Sequence, residues 1–236
     1  MADWATISQV ATAGGTLILA IATFSSVRSA NRSARIAELS LLAGLRPLLI
    51  PSREEDPPER VRFGDGQILT VPGHGAAATV AEDRLYLALA VRNGGSGLAV
   101  IHAWRAQAGG SAVSERPDVE DFRMQQRDLY IPAGDTGFWQ GAIRDRGDPN
   151  YERIRTAIED GERVIVDVMY GDYEGGQRTI TRFAIGPWPE IEGERVEVLR
   201  YWNVDRADPR ERPARSELAL GQRDAAGFHQ TGPYNR

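Results

Sequence analysis

A chain of 236 residues with 26% charged and 42% hydrophobic side chains has the composition of one ordinary globular domain with extensions. Its net charge of -5 argues against sequence-independent nucleic-acid binding, which needs a broad basic surface. The chain contains no cysteine, so disulfides and thiolate metal sites are excluded, and all 28 basic residues are arginine, as codon bias in a GC-rich genome would produce.

Residues 4–27 carry no charge. As a helix this stretch measures about 36 Å, enough to cross a hydrocarbon core of about 30 Å. Threonine and serine dilute it, but their hydroxyls can return to the helix's own carbonyls, which leaves Gln9 as the most costly member. A secretory signal peptide would start with basic residues, whereas the first charge here is Asp3. A moderately apolar core helix is the other competing reading. The expectation is a transmembrane anchor over 1–27.

Arg28, Arg32 and Arg35 come directly after the neutral stretch, and Glu38 is the first acid beyond it. Arginines beside a spanning helix stay on the cytoplasmic side. The predicted location is therefore the plasma membrane, single-pass, with the N-terminus outside and the folded bulk in the cytoplasm. The three arginines fall on one helical face and form the predicted membrane interface, placed to meet anionic headgroups.

On the same helix Ile7, Val10, Leu17, Ile18, Ile21 and Phe24 share a face. Ala13, Thr16, Ala20 and Thr23 belong to a neighbouring small stripe that would let a second helix approach closely, in a homodimer or with a membrane-protein partner. Its phase continues through Ala30, Ala34, Ala37 and Leu41, so 28–44 reads as a juxtamembrane extension of the helix.

Pro47 ends the helical pattern and gives way to short strands separated by glycine-rich turns. They are predicted at 48–50, 60–63, 67–72, 85–92, 98–107, 127–131, 136–143, 163–170, 177–185 and 195–204. In the strand at 85–92, Leu85, Leu87, Leu89 and Val91 oppose Tyr86, Ala88 and Ala90, the pattern of burial on both faces. At 163–170, Val164, Val166, Val168 and Tyr170 oppose a more polar row holding Arg163, Asp167 and Met169. One helix is predicted after Asp148 and Pro149, with Gly161 at its end.

The fold class expected is mostly β: a transmembrane helix, then an antiparallel, immunoglobulin-like β-sandwich over 45–205 with one short helix. Trp104, Phe122, Trp139, Phe183 and Trp202 are its predicted core aromatics. Residues 206–236 are charged and lack apolar periodicity, and read as a disordered tail.

Ser29-Ala30-Asn31-Arg32, Leu45-Arg46-Pro47, the run from Val91 to Gly97, and Tyr170-Gly171-Asp172-Tyr173 together resemble uncharacterised single-pass, membrane-anchored β-sandwich proteins of high-GC bacteria. That resemblance implies architecture and carries no function.

No catalytic set emerges from the residues. His74, His102 and His229 lack metal-ligand spacing to one another, and no cofactor or metal site is expected. Gly73-His74-Gly75 and Gly64-Asp65-Gly66 lack the βαβ context of a phosphate loop and read as turns. Acids at 118, 120, 121 and 128, and at 172 and 174, read as solvated surface. End loops are where sandwiches place binding residues, which makes Asn93, Gly95, Asp172, Tyr173 and Glu174 the candidate binding residues. The expected function is a membrane-anchored binding or assembly module without catalytic activity. The alternatives are an outward-facing envelope or carbohydrate-binding domain, and a hydrolase with an acidic site.

Overall fold

The computed structural model describes residues 4–109, 115–188, 191–208 and 210. Its first element, α1 (Trp4–Gly44), is one unbroken helix about 62 Å long. Thr16 and Thr23 donate their hydroxyls to the carbonyls of Thr12 and Leu19, and Ser25 donates to that of Ala22, at 2.8–2.9 Å. These hydroxyls are thus satisfied within the helix. Over Thr12–Glu38 α1 is long and apolar enough to cross a membrane, and none of that stretch is buried against the rest of the chain.

The remainder is mostly β, and every pairing among the described strands is antiparallel. In the first sheet the long strand β5 (Arg84–Asn93) is central. On one edge it pairs with β8 (Thr136–Ile143); along the other lie β4 (Ala76–Ala81) and β1 (Leu49–Pro51), end to end. The second sheet has the order β11 (Ile191–Asn203), β10 (Arg178–Trp188), β9 (Val164–Gly171), β6 (Ala99–Ala108), β7 (Arg123–Ile131). The two sheets enclose one core, to which the first contributes Leu85, Leu87, Leu89 and Trp139 and the second Trp104, Val166, Val168 and Phe183. Trp104 and Trp139 meet edge to face at 5.3 Å across it.

A hairpin of β2 (Glu59–Arg62) and β3 (Ile68–Val71) covers the outer face of the first sheet. Val61, Phe63, Leu69 and Val71 bury Tyr86, Ala88 and Ala90 there. This third layer is why β5 is apolar on both faces.

The second sheet is also covered outside, where its sequence pattern predicted a polar face. Asp167 and Arg182, each 1% exposed, form a two-pronged ion pair at 2.6 and 2.9 Å, and Arg105 donates to the same carboxylate at 2.9 Å. Arg105 continues to Asp121, on a 3₁₀ turn (Val119–Asp121), and Arg182 stacks on Trp202 at 4.9 Å. A buried charge persists only when it is paired and hydrogen-bonded in this way. Phe122, expected in the core, is instead half-buried on this outer face, against the cluster of Ala103, Met169, Ile180 and Trp202.

Three further departures from expectation have local causes. Strand β4 lies in an alanine- and glycine-rich stretch of low strand propensity. It forms because a two-residue turn, Glu82-Asp83, with φ of +47° and +59°, folds it back onto β5 in the geometry that suits strand twist. Helix α2 (Tyr151–Glu159) begins two residues later than Asp148 predicts: Asp148 accepts from the Asn150 amide, and Asn150 takes the capping position. Gly161, at φ +66°, ends it. Lastly, the stretch read as a tail starts on the domain, since Asp208 is 5% exposed and holds Arg210, whose guanidinium packs on Tyr201 at 5.1 Å. The rest of the predicted tail, 211–236, lies outside the described residues.

Candidate functional site: an occupied loop end and an open cleft

The exit of α1 is fastened to the domain. Arg46 donates to Asp205 through both terminal nitrogens, at 2.6 and 3.0 Å, and to Asn203 and Thr179 at 3.1 and 3.2 Å. Partial burial would raise the Asp205 carboxyl, but the Arg46 hydrogen bond and the Arg178 amide outweigh it and hold that carboxyl below its ordinary value. Three residues further on, the Leu49 amide donates to the Tyr170 hydroxyl at 3.0 Å, and Tyr170 shares a hydrogen bond with Thr181 at 2.8 Å. Burial pushes the Tyr170 phenol up to about 12.

Asn93, a candidate binding residue from the sequence, is the hub of this end and is fully buried. Its side-chain oxygen accepts from the amides of Leu48 (3.1 Å) and Gly95 (3.0 Å). Its side-chain nitrogen donates to the carbonyls of Gly97 (2.6 Å) and Ile131 (3.0 Å). Gly95 and Gly97 lack a Cβ for a reason of space: one would collide with the carbonyls of Arg46 and Leu45. The loop at 93–97 thus grips the chain's own exit from the helix, with Gly94 and Ser96 left exposed. Asp172 is likewise engaged, its carboxylate accepting from the Gln177 amide at 3.1 Å in the turn after β9. Tyr173 and Glu174 are exposed on that turn, Tyr173 at 77%.

On α1 the predicted interface arginines Arg28, Arg32 and Arg35 are exposed and make no ion pair with any described residue. Ala13, Thr16, Ala20 and Thr23 are exposed too, with both threonine hydroxyls turned back onto the helix. The histidines do not converge. His74 uses Nδ1 against the Ser52 carbonyl at 3.1 Å, His102 sits in a bulge of β6 against Gly171, and His229 lies outside the described residues. Burial first, then the Arg178 charge, lowers the His102 imidazole below its ordinary value. Among the described residues no group of three or more His, Asp or Glu is arranged to hold a metal.

The sequence pointed to loops; a sizeable concavity lies between strand edges. A cleft of about 730 Å³ opens where the free edges of β7 and β8 diverge, with Trp104 at its floor. Its shape comes from a wide bulge. Ala103 of β6 pairs with Met124 and Ile101 with Leu129, so four residues of β7 oppose the single His102. Bulges of this kind disrupt the local ladder, and Gln125, Gln126 and Arg127 of this stretch line the cleft. Gln125 reaches across and donates to the Gln140 carbonyl on β8 at 3.1 Å.

Two kinds of unmet capacity belong to the residues that line the cleft. The side-chain oxygens of Gln125 and Gln140 are buried without a hydrogen-bond partner, and Gln140 is only 8% exposed. Arg62 and Arg127 line the cleft and pair with no described acid, whereas Arg123 holds Asp148 and Arg144 holds Asp65. With Arg62, Arg123, Arg127 and Arg144 against Asp145 in its lining, the cleft is a local excess of positive charge on a chain of net charge -5.

Compared with models of protein families, with curated proteins and with solved structures, the chain matches none. Function is therefore read from its own residues.

Proposed function

We propose that this chain is a single-pass, membrane-anchored binding or assembly module, with its β domain on the cytoplasmic side of the plasma membrane and its N-terminus outside. The observation that carries the reading is α1. It presents Leu17, Ile18, Leu19, Ile21 and Phe24 at 61–69% exposure, uncovered by any other described residue. So much contiguous apolar surface requires a lipid or helical partner.

Arg28, Arg32 and Arg35, which pair with no acid among the described residues, favour the cytoplasmic side for the β domain. Residues 28–44 then form a stalk of about 25 Å that ends in the Arg46 fastening, so helix and domain are mechanically continuous. The two sheets around one core are read as an immunoglobulin-like sandwich, a scaffold that offers surfaces for recognition. The partner is a protein, or a second copy of this chain.

The test is topology. C-terminal alkaline phosphatase and fluorescent-protein fusions, expressed separately in a bacterial host, should give fluorescence without phosphatase activity. Strong phosphatase activity would place the domain outside and favour an envelope or carbohydrate ligand instead.

A further inference from the structure

We infer that the cleft between β7 and β8 is a docking site for an acidic peptide segment, which lies extended along the open edge of β8. This deepens the reading of the chain as a binding module and rests on it.

The edge is available. The Gln140 carbonyl accepts from the Gln125 side chain, so it points away from β5. Outward-facing groups repeat every second residue in an antiparallel pair, which puts the amide and carbonyl of Ala142 on the same free edge, inside the cleft. An extended chain laid there exchanges hydrogen bonds with Ala142 as an added strand.

Charge selects the chain. Arg62 and Arg127 line the same cleft without acidic partners among the described residues, and guanidinium groups match carboxylates in geometry and sign. Gln140, 8% exposed with its side-chain oxygen unpartnered among the described residues, makes the wall of the cleft polar. A peptide supplies both functions at once: its backbone exchanges hydrogen bonds with Ala142 and its acidic side chains answer the arginines. Met124, 72% exposed at the lip, adds an adaptable apolar contact. A volume of about 730 Å³ suits a few residues rather than a folded partner.

The experiment uses the full chain in lipid nanodiscs and a fluorescein-labelled ten-residue peptide alternating glutamate with valine or threonine, read by anisotropy. Saturable binding is expected, weakened by added salt and by at least about tenfold in the Arg62→Gln/Arg127→Gln double variant. A peptide with lysine in place of glutamate should not bind. Methylating alternate backbone amides of the acidic peptide should abolish binding while leaving the protein untouched, which separates strand addition from charge attraction.

No saturable binding, equal binding by the double variant, or full retention after amide methylation would overturn the proposal. So would binding of an oligogalacturonate in place of the peptide. Membrane flotation of the same preparations keeps the two readings apart. A chain that floats but ignores the peptide loses only the cleft assignment, and one that binds the peptide but does not float loses only the anchor.

Discussion

Arg46 and Arg127 stand at two regions built on opposite terms. At the end where α1 enters the domain Arg46 meets Asp205, Asn203 and Thr179, and every polar capacity of the buried Asn93 side chain is used. At the β7–β8 cleft Arg127 and Arg62 lack acidic partners among the described residues, and two glutamine oxygens are buried without donors. Satisfied polar groups hold a fold together; unsatisfied ones carry a cost that a ligand can relieve. The first region is therefore structure and the second is capacity.

Substitutions should separate the two regions in order of effect. Asn93→Ala strands two donors and two acceptors, and should cost roughly 3–4 kcal/mol in denaturant unfolding of the full chain in detergent.

The next effect is one of pH. The Tyr170 phenol sits at about 12 in the fold, against about 10 when unfolded, so the native state holds its proton more tightly. Its contribution is fully present below pH 10 and is lost as pH rises towards 12, a fall of roughly 2–3 kcal/mol. Tyr170→Phe should flatten that part of the pH profile.

Arg46→Ala, breaking a half-shielded pair at 17% and 21% side-chain exposure, should cost about 2 kcal/mol. Arg127→Gln should change stability by less than about 0.5 kcal/mol, because the side chain is exposed and holds nothing in the fold. A cost at Arg127 equal to that at Arg46 would erase the distinction between the regions.

Much of the fold was legible. The uncharged run at the start of α1 and the double-sided apolar pattern of β5 each have one simple structural solution. Strand β4 was hidden because alanine carries little strand signal and its turn, Glu82-Asp83, lacks the usual glycine. Asp167 read as solvent-facing because its cover, Arg182, Arg105 and the turn at Val119–Asp121, comes from distant parts of the chain.

The candidate site was less legible still. Asn93 and Gly95 drew notice as loop residues, yet their neighbours are Leu45, Arg46 and Leu48, brought there by the path of the helix exit. The cleft residues Arg62, Gln125, Arg127 and Gln140 sit in stretches that read as ordinary strand or loop. They come together only where β2, β7 and β8 meet around a bulge in register at β6–β7, and no local pattern announces a bulge.

The account depends most on the exposed apolar face of α1 residing in lipid. Membranes from cells expressing the full chain, washed with alkaline carbonate and floated on a density gradient, test this directly. The account predicts that the intact chain floats with the lipid and is released only by detergent. A chain recovered in the carbonate supernatant, with its first residue intact, would contradict it.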